Sequence, residues 1–132
     1  MTKKSPLRIK EPEPVKRLPY RIATGLHDRL GLMAQKHLPQ PTKTVFIEFI
    51  LNMGMDAYGE ETMLEKPYNY DGKEAIPYKM PYFFKAATIE RLTKIAKKHE
   101  PRVSRRAFTE YILHLGMQRY YKEYTVYGFK KD

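Results

Sequence analysis

The chain has 132 residues, with 25 Lys and Arg against 15 Asp and Glu and a net charge of +10 at pH 7, so the expected partner is a polyanion, nucleic acid before membrane. It contains no Cys, which excludes a disulfide scaffold and a thiolate metal site and fits a reducing cytoplasm. No run approaches about 18 consecutive apolar residues, and the first residues lack the apolar segment of a secretory signal, so the expectation is a soluble cytoplasmic protein with no membrane partner.

Residues 1–16 carry Lys3, Lys4, Arg8 and Lys10 and then the proline-interrupted Glu11 to Pro14. This composition is too polar to pack and reads as a flexible basic arm. From Arg17 to Ala23 the pattern alternates, with Leu18, Tyr20 and Ile22 on one face and Arg17, Pro19 and Arg21 on the other, as in a short strand. Leu26, Leu30, Met33, Ala34 and His37 then follow helical spacing up to Pro39. A second helix opens at Thr42, a hydroxyl residue suited to the N-cap, and carries Val45, Phe46, Phe49, Ile50 and Met53 on its apolar face.

Residues 59–78 form a connector whose acids, Glu60, Glu61, Glu65, Asp71 and Glu74, outnumber Lys66 and Lys73. At roughly 3.3 Å per residue it can carry the chain from one end of a small domain to the other. Alternation then returns: Met80, Tyr82 and Phe84 face inward, and Lys79, Phe83 and Lys85 outward. Ile89, Leu92, Ile95, Ala96 and His99 mark a helix before Pro101, and a helix capped by Ser104 carries Ala107, Phe108, Tyr111, Ile112 and Leu115. The aromatic and basic tail, residues 121–132, adds a short strand or a helix extension.

Residues 18–58 and 80–120 are one unit written twice. They align without a gap at an offset of 62, with 15 identities in 41 positions, among them Pro19/Pro81, Tyr20/Tyr82, His37/His99, Glu48/Glu110, Gly54/Gly116 and Tyr58/Tyr120. Each unit, residues 17–58 and 79–120, is near the size below which a chain cannot bury enough apolar surface alone, so the two are expected to share one core. Neither strand has a partner within its own repeat. Residues 17–23 are therefore expected to pair antiparallel with residues 79–85, with four helices packed beneath about a pseudo-twofold axis. Pro19 and Pro81 are tolerable because both strands of a two-stranded ribbon are edges. A mid-helix Gly costs about 1 kcal/mol relative to Ala; Gly54 and Gly116 either offset this by close helix approach at the axis or are surface positions. The expected fold class is mainly α with a two-stranded antiparallel ribbon, a tandem arrangement folding as an intramolecular pseudo-dimer.

This order of strand, helix and Ser/Thr-capped helix resembles the ribbon-helix-helix family (Arc/MetJ type) of DNA-binding proteins, and the presence of two copies in one chain resembles its TraY-type members. The resemblance implies a sequence-specific double-stranded DNA-binding protein that regulates transcription by inserting the ribbon into the major groove. It assigns base readout to Arg17, Pro19, Arg21, Lys79, Phe83 and Lys85. Arg21 is the strongest reader, since a guanidinium can bond guanine O6 and N7 together. Phe83 departs from the polar readers usual in the family: it either touches a thymine methyl or, if the register slips by one, turns inward. Phosphate contacts fall to Thr42, Lys43, Thr44, Ser104, Arg105 and Arg106 at the second-helix N-termini. Capping alone explains Thr42 and Ser104 equally well, and Lys43, Arg105 and Arg106 could be solvated charges. Lys94, Lys97 and Lys98 read as a solvated face.

An enzyme is not expected. The four histidines, His27, His37, His99 and His114, lack metal-ligand spacing, and there is no phosphate-binding glycine loop or nucleophile motif, so neither cofactor nor metal is implied. His37 and His99 sit at first-helix ends, where a positive or hydrogen-bonding residue suits the dipole. Two rivals use the same fold: a protein-interaction module of antitoxin-like or adaptor type, and an accessory protein of a conjugation or partition complex. RNA fits worse, because the deep, narrow A-form major groove does not admit a ribbon. Chains could also associate with one another on adjacent DNA sites.

Overall fold

The computed structural model describes residues 15–60, 79–99, 102–125 and 128–131. The arm up to residue 14 and the connector from residue 61 to 78 lie outside the described residues. The element order is β1 (Arg17–Tyr20), α1 (Thr24–Lys36), α2 (Lys43–Ala57), β2 (Tyr82–Lys85), α3 (Ala86–Lys98) and α4 (Arg105–Glu123). Each strand is followed by two helices. β1 and β2 pair antiparallel, with Arg17 opposite Lys85, Leu18 opposite Phe84, Pro19 opposite Phe83 and Tyr20 opposite Tyr82. The two repeats thus form the expected intramolecular pseudo-dimer.

Both strands are shorter than their alternation implied. The register would next set Arg21 against Pro81, which has no N–H to donate, and the ladder ends there. Ile22 and Ala23 are nonetheless buried beside the start of α1. Met80, expected inside, is 65% exposed because it precedes the strand.

One hydrophobic cluster takes residues from both repeats, with Leu30, Phe46, Ile50, Phe84, Phe108 and Ile112 sealed from solvent. Its centre is the α2–α4 pair, the most extensive interface between elements. A Cβ added at Gly54 would lie 1.9 Å from the carbonyl oxygen of Ile112, and one at Gly116 would lie 2.0 Å from that of Ile50. The two glycines are therefore the close-approach sites, and the helices cross backbone to backbone. Val45, expected on the apolar face of α2, is instead exposed; it lies on the outer side of the helix with Asn52 and Asp56, while its neighbours Phe46 and Ile47 are buried.

Thr42 and Ser104 cap α2 and α4, their hydroxyls accepting from the amides of Val45 and Ala107 at 3.2 and 3.1 Å. The C-caps of α1 and α3 are His37 and His99, and each ring bonds across to the other repeat. His37 Nδ1 meets the Tyr120 hydroxyl at 2.8 Å, and His99 Nδ1 meets that of Tyr58 at 2.8 Å. Burial pushes the His37 pKa down, so it serves as a neutral hydrogen-bonding group and not as a cation on the helix dipole.

Of the two alternatives expected of the tail, a helix extension forms, and beyond it there is an isolated bridge instead of a strand. α4 runs three residues past Tyr120, and Tyr124 bridges to Lys130. The turn between them holds Gly128 at φ +85°, its carbonyl accepting from the Leu38 amide at 3.3 Å. A Cβ there would lie 1.9 Å from the Lys36 carbonyl oxygen, so the turn closes tightly on the end of α1. No helix among the described residues is long and apolar enough to cross a membrane.

Candidate nucleic-acid interface

Alternation along the ribbon separates two faces. Inward, Tyr20, Tyr82 and Phe84 are buried; the Tyr82 and Phe84 rings stack with centroids 6.0 Å apart, and Tyr20 lies 6.2 Å from Phe84. Outward, Arg17, Pro19, Phe83 and Lys85 are exposed, and Arg21 continues the row one residue past β1. Phe83 is 48% exposed, so the register keeps it outside and the slipped alternative does not occur. Lys79 is exposed but lies three residues before β2, apart from this row.

The outward row varies along its length. At one end Arg17 faces Lys85, two like charges directly opposite each other. Glu48 from α2 moderates them: its Oε1 lies 3.8 Å from Arg17 Nη1, while Oε2 accepts from the Lys85 amide at 3.0 Å and the Thr88 hydroxyl at 2.7 Å. This buried carboxylate therefore ties the start of α3 and the end of β2 to α2. In the middle Pro19 faces Phe83. At the far end Arg21, Pro19 and Tyr20 line a concavity of about 250 Å³ with Arg105 and Arg106 of α4.

Arg105 is oriented by the ribbon. Its Cζ stands 4.8 Å from the Tyr20 ring centroid, a cation–π contact, and the Tyr20 hydroxyl bonds that of Thr109 one turn further along α4. Ser104, Arg105 and Arg106 thus occupy a helix N-terminus whose amides and positive dipole end favour an anion. The corresponding end of α2 differs. Thr42 and Lys43 are exposed and Thr44 half-buried, and the Lys43 stem lies along α1 beside Gly31. Near it His27 bonds Tyr82, and burial followed by the Lys43 charge lowers the His27 pKa. One flank of the ribbon therefore carries two arginines and the other a single lysine.

Eleven of the twelve residues singled out from the sequence fall at the ribbon or at the α2 and α4 N-termini; Lys79 lies apart. Periodicity did not disclose that Arg21 shares a concavity with Arg105 and Arg106, or that Tyr20 is the platform for Arg105. The one signal for the latter was the recurrence of Tyr at positions 20 and 82. Lys94, Lys97 and Lys98 are exposed on α3, and Lys97 shares with Arg105 a second concavity between α3 and α4. No family model, no curated protein and no solved structure matches the chain.

Proposed function

We propose that the chain is a sequence-specific double-stranded DNA-binding protein of the ribbon-helix-helix type, a transcriptional regulator with no enzymatic activity. The observation that carries this is the outward row of the ribbon, cationic at both ends and rigidly backed by buried aromatics. The major groove admits a two-stranded ribbon, and the flanking N-termini of α2 and α4 suit the phosphates on either side. Arg17, Arg21 and Lys85 then reach base edges, while Thr42, Lys43, Ser104, Arg105 and Arg106 anchor the backbone. Net charge of +10 supports the same partner.

Fluorescence anisotropy with duplexes selected from a random pool tests the reading. Affinity should fall steeply with salt as counterions are released. Arg21→Ala should cost about 1–3 kcal/mol at one base pair and relax discrimination there, whereas Arg105→Ala should weaken all duplexes alike. Salt-insensitive binding, or unchanged site preference in Arg21→Ala, overturns it. The exposure of Phe83 and Met80 at one side of the ribbon favours a second reading, a protein-interaction module, which predicts no duplex selection at all.

A further inference from the structure

We infer that Pro19 and Phe83 form an apolar centre of the reading face that selects a pyrimidine C5-methyl group in the middle of the target site. This rests on the DNA-binding reading above and adds the chemical feature recognised.

An isolated exposed Phe on a protein surface needs no explanation. Phe83 is not isolated: its direct cross-strand neighbour on the same face is Pro19, also exposed. The two can neither donate nor accept a side-chain hydrogen bond, so the centre of the face has nothing with which to read a base edge's donors and acceptors. Among major-groove features, the C5-methyl of thymine is the one that an apolar surface recognises; a methylated cytosine offers the same group. The floor behind the pair is fixed, with Phe84 fully buried and stacked on Tyr82. The centre is thus held in place instead of folding back into the core.

The neighbours set a spacing. Along the strands the next outward residues are Arg17 and Lys85 on one side and Arg21 on the other, each two residues away. Two residues of strand span about 6.7 Å, and stacked bases lie about 3.4 Å apart, so the cations fall roughly two base pairs from the centre on each side. Two cations stand on one side and one on the other. The implied site is a central methyl-bearing pyrimidine flanked asymmetrically by guanine-type acceptors.

The test uses the full chain and its best selected duplex. Thymines at the centre are replaced one at a time by uracil, which keeps every hydrogen-bonding group and removes only the methyl. In separate duplexes the same position carries cytosine or 5-methylcytosine. About fourfold weaker binding is expected for each contacted methyl removed, from the usual gain per buried methyl-sized group. A thymine–uracil difference identifies thymine as the source of the methyl, and a difference in the cytosine arm extends it to the methylated base. In Phe83→Ala these differences should shrink toward one while the salt dependence persists; the DNA arms need no protein variant, so they stand even if that variant misfolds. Equal binding with and without methyl in both arms, on a duplex that is still bound selectively, overturns this inference alone. Absence of any salt-sensitive duplex binding overturns the reading beneath it.

Discussion

At the pseudo-twofold axis the two repeats are interchangeable. Gly54 abuts the Ile112 carbonyl as Gly116 abuts that of Ile50, and His37 meets Tyr120 as His99 meets Tyr58. Away from the axis the equivalence stops. Glu48 is buried and bonds the Lys85 amide and Thr88, but the position matching Thr88 in the first repeat is Leu26, and Glu110 stays half-buried with its pKa raised by burial. His27 faces Tyr82, whereas its counterpart in the second repeat is Ile89. Arg105 and Arg106 stand where the first repeat has Lys43 and Thr44. The lesson is that identity was kept where each residue touches the equivalent part of the other copy. Divergence reaches the buried pairs Leu26/Thr88 and His27/Ile89 as well as the solvent-facing N-termini of α2 and α4.

The strongest way to break this comparison is at the glycines. Gly54→Ala and Gly116→Ala both force a Cβ into backbone, and each should cost about 4 kcal/mol or more in urea unfolding, nearly equally; a large inequality would show that the axis is not symmetric. Next come the carboxylates, where inequality is expected. Glu48→Ala strands the Lys85 amide and Thr88 hydroxyl and should cost about 3 kcal/mol, while Glu110→Gln should be neutral or slightly stabilising. The sign follows from the raised Glu110 pKa: its favourable form is protonated, so ionisation at neutral pH opposes folding, and the amide removes that ionisation.

Acid should sharpen the contrast further. Burial, then the Arg29 charge, pushes the His114 pKa down to about 4, whereas the equivalent residue in the first repeat, Asn52, does not titrate. The unfolded chain takes up a proton near pH 6.5 that the folded chain resists, so stability present above that pH is lost as pH falls toward 4. A loss on the order of 2 kcal/mol from this residue is expected; His27 and His37 contribute in the same direction, so His114→Asn should abolish only part of the total acid loss. The smallest effects belong to the cross-repeat hydrogen bonds: Tyr58→Phe and Tyr120→Phe should each cost about 1 kcal/mol. Thermal melts that separate the two by much more than this would reveal a hidden difference between the ends.

Much of the fold was legible because it is periodic. Tyr20, Ile22, Leu30, Phe46, Ile50, Phe84, Phe108 and Ile112 all follow strand or helix spacing, and all are buried. The errors fall at element ends. Met80 continues a pattern past the start of its strand, and Val45 falls on the outer side of α2 beside the buried Phe46 and Ile47; periodicity carries no record of where neighbouring elements end. The outward row of the candidate interface was legible for the same reason that its inner face was. The pairings that orient it were not: Tyr20 meets Thr109 across 89 positions of sequence, and Arg105 finds Tyr20 through the packing of α4 against the ribbon. Such contacts depend on three-dimensional placement, which neither repeat specifies alone.

The ribbon joins β1 and β2 of a single chain, and this bears on how the protein behaves when scarce. A regulator assembled from two separate subunits comes apart on dilution, so its active fraction tracks how much of it a cell makes. Here the partner strand is always tethered at an effective concentration on the order of millimolar. On the DNA-binding reading proposed above, the ribbon would therefore persist at a few copies per cell, and occupancy of a site would rise with protein concentration as a simple hyperbola, without the threshold that subunit assembly imposes.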